Sequence, residues 1–313
     1  MDDARELMES LPPDLRTVVQ RSVPLKYLTT LKVGGPAALV CPIRNPEQAL
    51  RFQALAQDRQ IPFFILGGGS NVLADDRGFS GLVLHVVADD LDLKGEIVRA
   101  GTGISFDGLI ERTLAEGLTG LEFASGIPGT LGGALVGNAG CYGHEIGEFL
   151  VEALVLRPDG RLETVGPEGF GFRYRETDLR ETGTIVLEAV LRLGRGDLDR
   201  AVNLRREKIL DRRAKHPVDL PSAGSWFRNL PPAGPGQRRR AAGILLEKAG
   251  AKDMSEGDAR VFAKHANMII NSGRATSDDV LKLAARMKRA VLEKFGVQLL
   301  EEVRYLEPGP GPT

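Results

Sequence analysis

The chain has 313 residues, 42% of them hydrophobic and 27% charged, enough to bury a sizeable core and unlike a disordered chain; its length suggests about two domains. A formal net charge of −1 argues against a polyanionic partner such as DNA and against an anionic membrane surface, and no apolar run approaches the roughly 20 residues of a membrane span. The opening MDDARELMESLPPDL is acidic and lacks the apolar stretch of a signal peptide, so a cytoplasmic protein is expected, with Cys41 and Cys141 as reduced thiols.

Asn45-Pro46-Glu47 supplies an N-cap, a first-position proline and an acidic first turn, predicting a helix to about Gln60. Residues 61–66 form an apolar strand that runs straight into Gly67-Gly68-Gly69-Ser70-Asn71. Strands follow at 82–87 and 96–100, and Ser105 caps a helix to about Glu116. Residues 125–140, SGIPGTLGGALVGNAG, contain six glycines, a composition that weakens both helix and strand, and read as a long loop. Pro158-Asp159-Gly160 predicts a hairpin between strands at 151–156 and 161–165. A strand at 184–193 and a charged helix at 198–213 come next. LPPAGPGQRRR, residues 230–240, is an exposed loop whose arginines read as solvated surface. Ser277-Asp278-Asp279 opens a helix in which Val280, Leu283, Ala284, Met287 and Val291 make one buried stripe. A strand at 297–306 closes the fold, and the tail 307–313, EPGPGPT, is expected to be disordered. The fold class is thus α/β to α+β in two portions. An N-terminal segment, 1–28, precedes a first domain at 29–197, itself divided at about residue 90, and a smaller α/β domain occupies 198–306.

The two glycine-rich turns carry the first functional signal. Successive bare amides after a strand form a concave donor array for an anion, to which Ser70 and Asn71 add side-chain bonds. Gly126, Gly129, Gly132 and Gly133 let main chain approach a ligand closely, Pro128 stiffens the turn, and Asn138-Ala139-Gly140 adds a polar contact. No GxGxxG follows a strand and no glycine precedes a lysine, so neither the dinucleotide fingerprint nor the Walker loop is present. His85, His144, His216 and His265 are not at metal-ligand spacing, and no metal is expected.

Six motifs occur in order: TTLKVGGPA (29–37), LGGGSNVL (66–73), SGIPGTLGGALVGNAGCYG (125–143), Tyr174-Arg175, PSAGSWFRN (221–229) and EEVR (301–304). Together they resemble the UDP-N-acetylenolpyruvoylglucosamine reductase family (MurB) of bacterial peptidoglycan synthesis, over residues 20–306. The resemblance implies an FAD-binding domain of the p-cresol methylhydroxylase and vanillyl-alcohol oxidase type, plus a substrate-binding domain. It implies that Gly67, Gly68, Gly69, Ser70, Asn71, Ser125, Gly126, Ile127, Gly129, Thr130, Gly132, Gly133, Asn138, Ala139 and Gly140 hold FAD. NADPH would serve as hydride donor and UDP-N-acetylglucosamine enolpyruvate as substrate, in a monomer that binds no nucleic acid.

Adding hydride and a proton across an enol double bond places negative charge on C2 and the carboxylate, so the site needs a cation and a positioned acid. The resemblance gives these roles to Arg175 and Ser225, with Glu302 beside the flavin and Glu301 as the shifted alternative. Strand alternation through Phe172-Arg173-Tyr174-Arg175 would put both arginines on one face. It would likewise put Leu300, Glu302, Arg304 and Leu306 on one face. Tyr174, Lys215, Asn229, Lys264 and Asn271 match substrate-binding positions. Thr177 stands where the family commonly has serine. Between Arg175 and Arg205 there is no room for the family's tyrosine-bearing lid, so the chain resembles the shorter kind; Trp226 and the 230–240 loop are candidates for a replacement. A flavin oxidase acting on a sugar or alcohol, or a non-catalytic flavin-binding module, are the competing readings.

Overall fold

The structure is a computed structural model that describes residues 2–309 apart from 233, 235 and 238. Three parallel strands, Pro36–Ile43, Phe79–Val86 and Phe63–Leu66, lie side by side in that order, and Gln20–Pro24 pairs antiparallel on the outer edge of the first. The helix Pro46–Asp58 covers one face, burying Ala49, Phe52 and Ala56 against Leu39, Ile43, Leu82 and Leu84. Its start is fixed as the sequence predicts: the Asn45 side chain accepts from the Gln48 amide, 2.9 Å. Leu11, Leu15 and Val19 of the N-terminal segment are buried in the same core.

The second sheet has five antiparallel strands, Leu162–Val165, Leu150–Leu156, Ile185–Arg192, Ile97–Gly101 and Leu91–Lys94, in that spatial order. The Ser105-capped helix Phe106–Ala115 packs on it through Phe106, Leu109 and Ile110. The helix Leu198–Lys215 lies outside this layer, with Ala201 buried in the same core. The glycine-rich run departs from expectation, because residues Leu131–Val136 form a short helix. Three things offset the glycines' poor propensity: the Thr130 hydroxyl caps the Gly133 amide, and Leu131 and Leu135 are fully buried.

The third sheet, Ser222–Ser225, His265–Asn271, Ala259–Phe262 and Ser255–Glu256, is antiparallel and backed by the helices Ala242–Lys248 and Ser277–Phe295. Val280, Leu283, Ala284, Met287 and Val291 are all buried, as their spacing predicts. The cap is Thr276, one residue earlier than Ser277, in a reciprocal capping box with Asp279.

The closing strand is only Arg304–Leu306, which pairs parallel with Val72–Ala74 immediately after the first glycine turn. Leu300 is 63% exposed whereas Leu306 is 5% exposed, so the single strand face expected for 297–306 does not form. Residues 310–313 of the tail lie outside the described residues, and Gly309 sits against Ser80 and Phe79.

Candidate active site

A cavity of about 780 Å³ opens where the three sheets meet, within the size range of ligand and cofactor sites. Both glycine turns form its wall. They touch: a Cβ on Gly68 would lie 2.8 Å from Gly129 Cα, and the Ser70 hydroxyl donates to the Pro128 carbonyl, 3.0 Å. Only glycine lets the two backbones meet here. Among the described residues, the amides of Gly68, Gly69, Ser70, Asn71, Gly129 and Thr130 donate no hydrogen bond within the protein. Unspent amides converging on one cavity from two turns are the donor set that a diphosphate needs, so the cradle fits a dinucleotide such as FAD.

The expected cofactor residues divide accordingly. Gly67, Gly68, Gly69, Ser70, Asn71, Gly126, Ile127, Gly129, Thr130, Gly132, Gly133, Ala139 and Gly140 line the cavity. Ser125 and Asn138 do not. The Ser125 side chain is fully buried with an unpaired hydroxyl, and its carbonyl accepts from Arg212 Nε, 3.3 Å. Asn138, at φ 41°, braces loops instead: it donates to Glu145 and to the Arg173 carbonyl, and accepts from the Gly147 amide.

Arg175 reaches the cavity by a different route from the one predicted. Residues 173–176 make a tight turn, with Arg173 and Glu176 exchanging backbone hydrogen bonds and Arg175 at φ 58°. The turn separates the two arginines. Arg173 is 53% exposed and pairs with Asp178, 2.8 Å, while Arg175 points inward with Nε 3.4 Å from Glu302 Oε1. The carbonyls of Asn138 and Gly140 accept from its guanidinium, which fixes its direction.

Glu302 is placed by main chain. Its amide donates to the Trp226 carbonyl, 2.8 Å, and its carbonyl accepts from Asn71 Nδ2, 3.1 Å, and Arg180 Nη2, 2.7 Å. Burial pushes its carboxyl above the ordinary glutamate range, against the opposing pull of Arg175, Arg180 and Arg228. Glu301 turns outward toward Lys288, 3.7 Å. Ser225 ends a strand whose register slips between Ser222 and Ser225, and Gly224 at φ 78° makes that bulge possible. The bulge aims Ser225 at the cavity, where its hydroxyl has no partner among the described residues. Asn267 holds the next residues in place, accepting from the Phe227 amide and donating to its carbonyl.

Of the expected substrate residues, Tyr174 and Asn229 line the cavity. Lys215 is tied to Asp211 at the helix end, and Lys264 is exposed on a turn. Asn271 is buried and structural, bonding the carbonyls of Leu31 and Lys32 and the amides of Gly273 and Ala275. The lining also includes Arg180, Arg212 and His216, to which the sequence reading gave no role, and Arg304, the last residue of the EEVR motif. Burial, Arg212 and His265 push His216 down to about 4, so it is neutral at pH 7. The 230–240 arginines are not all solvated, since Arg239 lies 3.8 Å over the ring of Tyr174.

Two family models match the chain: an FAD binding domain over residues 36–166, and the C-terminal domain of UDP-N-acetylenolpyruvoylglucosamine reductase over residues 216–306. The UDP-N-acetylenolpyruvoylglucosamine reductase 2 of Symbiobacterium thermophilum is 40% identical over 294 residues, spanning 93% of both chains. The reductase of Caldanaerobacter subterraneus subsp. tengcongensis is 38% identical over 284 residues, 90% of this chain and 92% of that one. The crystal structure of UDP-N-acetylenolpyruvylglucosamine reductase (MurB) from Thermus caldophilus superposes with a TM-score of 0.77 at 33% identity, covering 92% of this chain and 99% of that one. With an FAD-binding domain at one end and the reductase's own C-terminal domain at the other, this chain belongs to the UDP-N-acetylenolpyruvoylglucosamine reductase family.

Proposed function

We propose that this protein reduces UDP-N-acetylglucosamine enolpyruvate to UDP-N-acetylmuramate with NADPH, as a cytoplasmic monomer in peptidoglycan precursor synthesis, and that Arg175, Ser225 and Glu302 do the chemistry. One observation carries this reading: those three side chains and the unspent amides of both glycine turns face a single cavity. FAD held by the two turns would supply the hydride chemistry, taking hydride from NADPH and giving it to C3 of the enolpyruvyl group. Residues 29–197 form the FAD-binding domain in this reading, and 198–306 the substrate-binding domain.

Arg175 neutralises the substrate carboxylate as charge builds on it. A pre-aimed donor to a developing oxyanion contributes roughly 3–4 kcal/mol. Ser225 delivers its hydroxyl proton to C2; a serine is acidic enough for this only because an enolate is strongly basic. Glu302 in its protonated form donates a hydrogen bond to the same intermediate. Tyr174 and Asn229 contact the sugar nucleotide, and Lys215 and Lys264, which lie outside the cavity lining, would have to swing toward it to do so. Asn271 acts indirectly, by holding the 29–33 turn.

Anaerobic stopped-flow tests the reading. The purified protein should be yellow, NADPH should bleach it, and the enolpyruvyl substrate should restore the colour. A protein that consumes oxygen with a sugar or alcohol and without NADPH would instead be a flavin oxidase.

A further inference from the structure

The second glycine turn is held from outside the cavity by a pair of charged residues. Asp107 stands in the first turn of the helix Phe106–Ala115, and its Oδ1 accepts from the Gly126 amide at 2.7 Å. The same carboxylate takes a two-pronged bond from Arg205, Nη1 to Oδ1 at 2.5 Å and Nη2 to Oδ2 at 3.1 Å. The side chains are 34% and 15% exposed, so this is a half-buried fork and not a surface pair. Burial pushes the Asp107 carboxyl up, but Arg205 and the Gly126 amide outweigh it and hold the group below the ordinary aspartate range.

Arg205 lies on the helix Leu198–Lys215, between the two segments that the family models match. One helical stretch later, Arg212 bonds the Ser125 carbonyl and itself lines the cavity. Gly126 is at φ 74°, and a Cβ there would lie 3.1 Å from Arg212 Cδ. With its amide committed to Asp107, the 125–127 peptide planes are fixed. The chain beyond them then presents the free Gly129 and Thr130 amides to the cavity.

We propose that Asp107 and Arg205 are positioning residues for the flavin: they orient the second glycine turn through Gly126, and so make cofactor affinity depend on the helix that leads into the C-terminal domain. This rests on the reading that the cavity holds FAD. Neither residue lines the cavity, and both act through a main-chain amide.

The test titrates FAD into cofactor-stripped full-length protein, following flavin fluorescence, beside the thermal midpoint of the stripped protein. Wild type should bind FAD; a wild type that does not overturns the cofactor reading and this inference with it. D107A leaves the Gly126 amide without its acceptor and Arg205 with only the longer contact to Glu111, 3.9 Å, and should weaken FAD about tenfold or more. R205M, which frees the carboxylate to swing, should weaken it about five- to tenfold, and R205K should recover part of that because the charge remains without the fork. A purely structural pair would lower the thermal midpoint of the stripped protein and leave the folded protein's FAD affinity within twofold of wild type; that result overturns the proposal. If D107A and R205M do not fold, R205K decides alone, and an unchanged FAD affinity counts against it.

Discussion

Gly133→Val separates a glycine kept for the ligand from a glycine kept for the protein. Gly133 lines the cavity from within the helix Leu131–Val136, and a Cβ built there meets only the Thr130 hydroxyl, at 3.6 Å, an ordinary contact. For a Cβ, nothing in the protein has to move. Valine is a slightly better helix former than glycine, so the stripped protein should change in stability by no more than roughly 0.5 kcal/mol. With FAD in the cavity as proposed, the isopropyl group would take space that the flavin needs. Overpacking of that kind costs about 1–3 kcal/mol, and at about 1.4 kcal/mol per decade the FAD dissociation constant should rise about 5- to 150-fold. Gly68→Ala is the contrast: its Cβ would lie 2.8 Å from Gly129 Cα and 3.2 Å from Gly129 C, so the cost of about 1–3 kcal/mol falls on the stripped fold itself. FAD fluorescence titration and calorimetric melting of the stripped proteins read both quantities. Gly133→Val protein that binds FAD within twofold of wild type, or that melts as low as Gly68→Ala, would refute the reasoning.

Ser225→Ala should keep the flavin and its reduction by NADPH while slowing enolpyruvate reduction about 10²–10⁴-fold, measured as separate half-reactions by stopped-flow; equal slowing of both contradicts a proton-donor role. Glu302→Gln should remove a pH trend in stability. Because burial raises the folded-state carboxyl, its contribution is fully present below the unfolded value near about 4.3 and is lost as pH rises through the folded value. The Gln variant should therefore gain on wild type in melting temperature between pH 4.5 and pH 7.5, and a variant that loses ground over that window would reverse the assigned direction. Thr276→Ala removes the hydroxyl that caps the Asp279 amide at 3.1 Å and should cost about 1 kcal/mol in urea unfolding, with no change in FAD affinity.

Much of this was legible because the relevant signals are local. Asn45, Ser105 and the 280–291 stripe announce helices by chemistry confined to one or two turns, and the structure keeps them. The glycine turns are legible because bare backbone is itself the functional group. The expected strands at 61–66, 82–87, 96–100, 151–165 and 184–193 form; what failed were the two readings of side-chain faces from strand alternation, at 172–175 and at 300–306. Arg175 sits at φ 58° in a turn that no alternation pattern encodes, and Glu302 lies in irregular chain held by the Trp226 carbonyl, 76 residues earlier by number. The helix Leu131–Val136 was hidden because Thr130's cap and the burial of Leu131 and Leu135 outweigh a composition that argues against it. Arg180 and Arg212 were invisible for another reason: among 41 lysines and arginines, only the tertiary fold decides which few turn inward.

Those inward arginines change what Glu302 can do. Arg175, Arg180 and Arg228 all act on its carboxyl, and Arg304 presses on Arg180, whose proton affinity burial and its cationic neighbours lower. Several guanidiniums around one carboxyl leave local positive charge to spare, which suits a ligand that brings a carboxylate. Once that ligand arrives, two anions share the site and the like charge raises the proton affinity of Glu302 further. Burial already acts in the same direction before any ligand binds. Burial and such a ligand would therefore both favour protonation of Glu302, against the opposing pull of Arg175, Arg180 and Arg228. Arg175, fixed by the carbonyls of Asn138 and Gly140, keeps its remaining donors for the incoming anion.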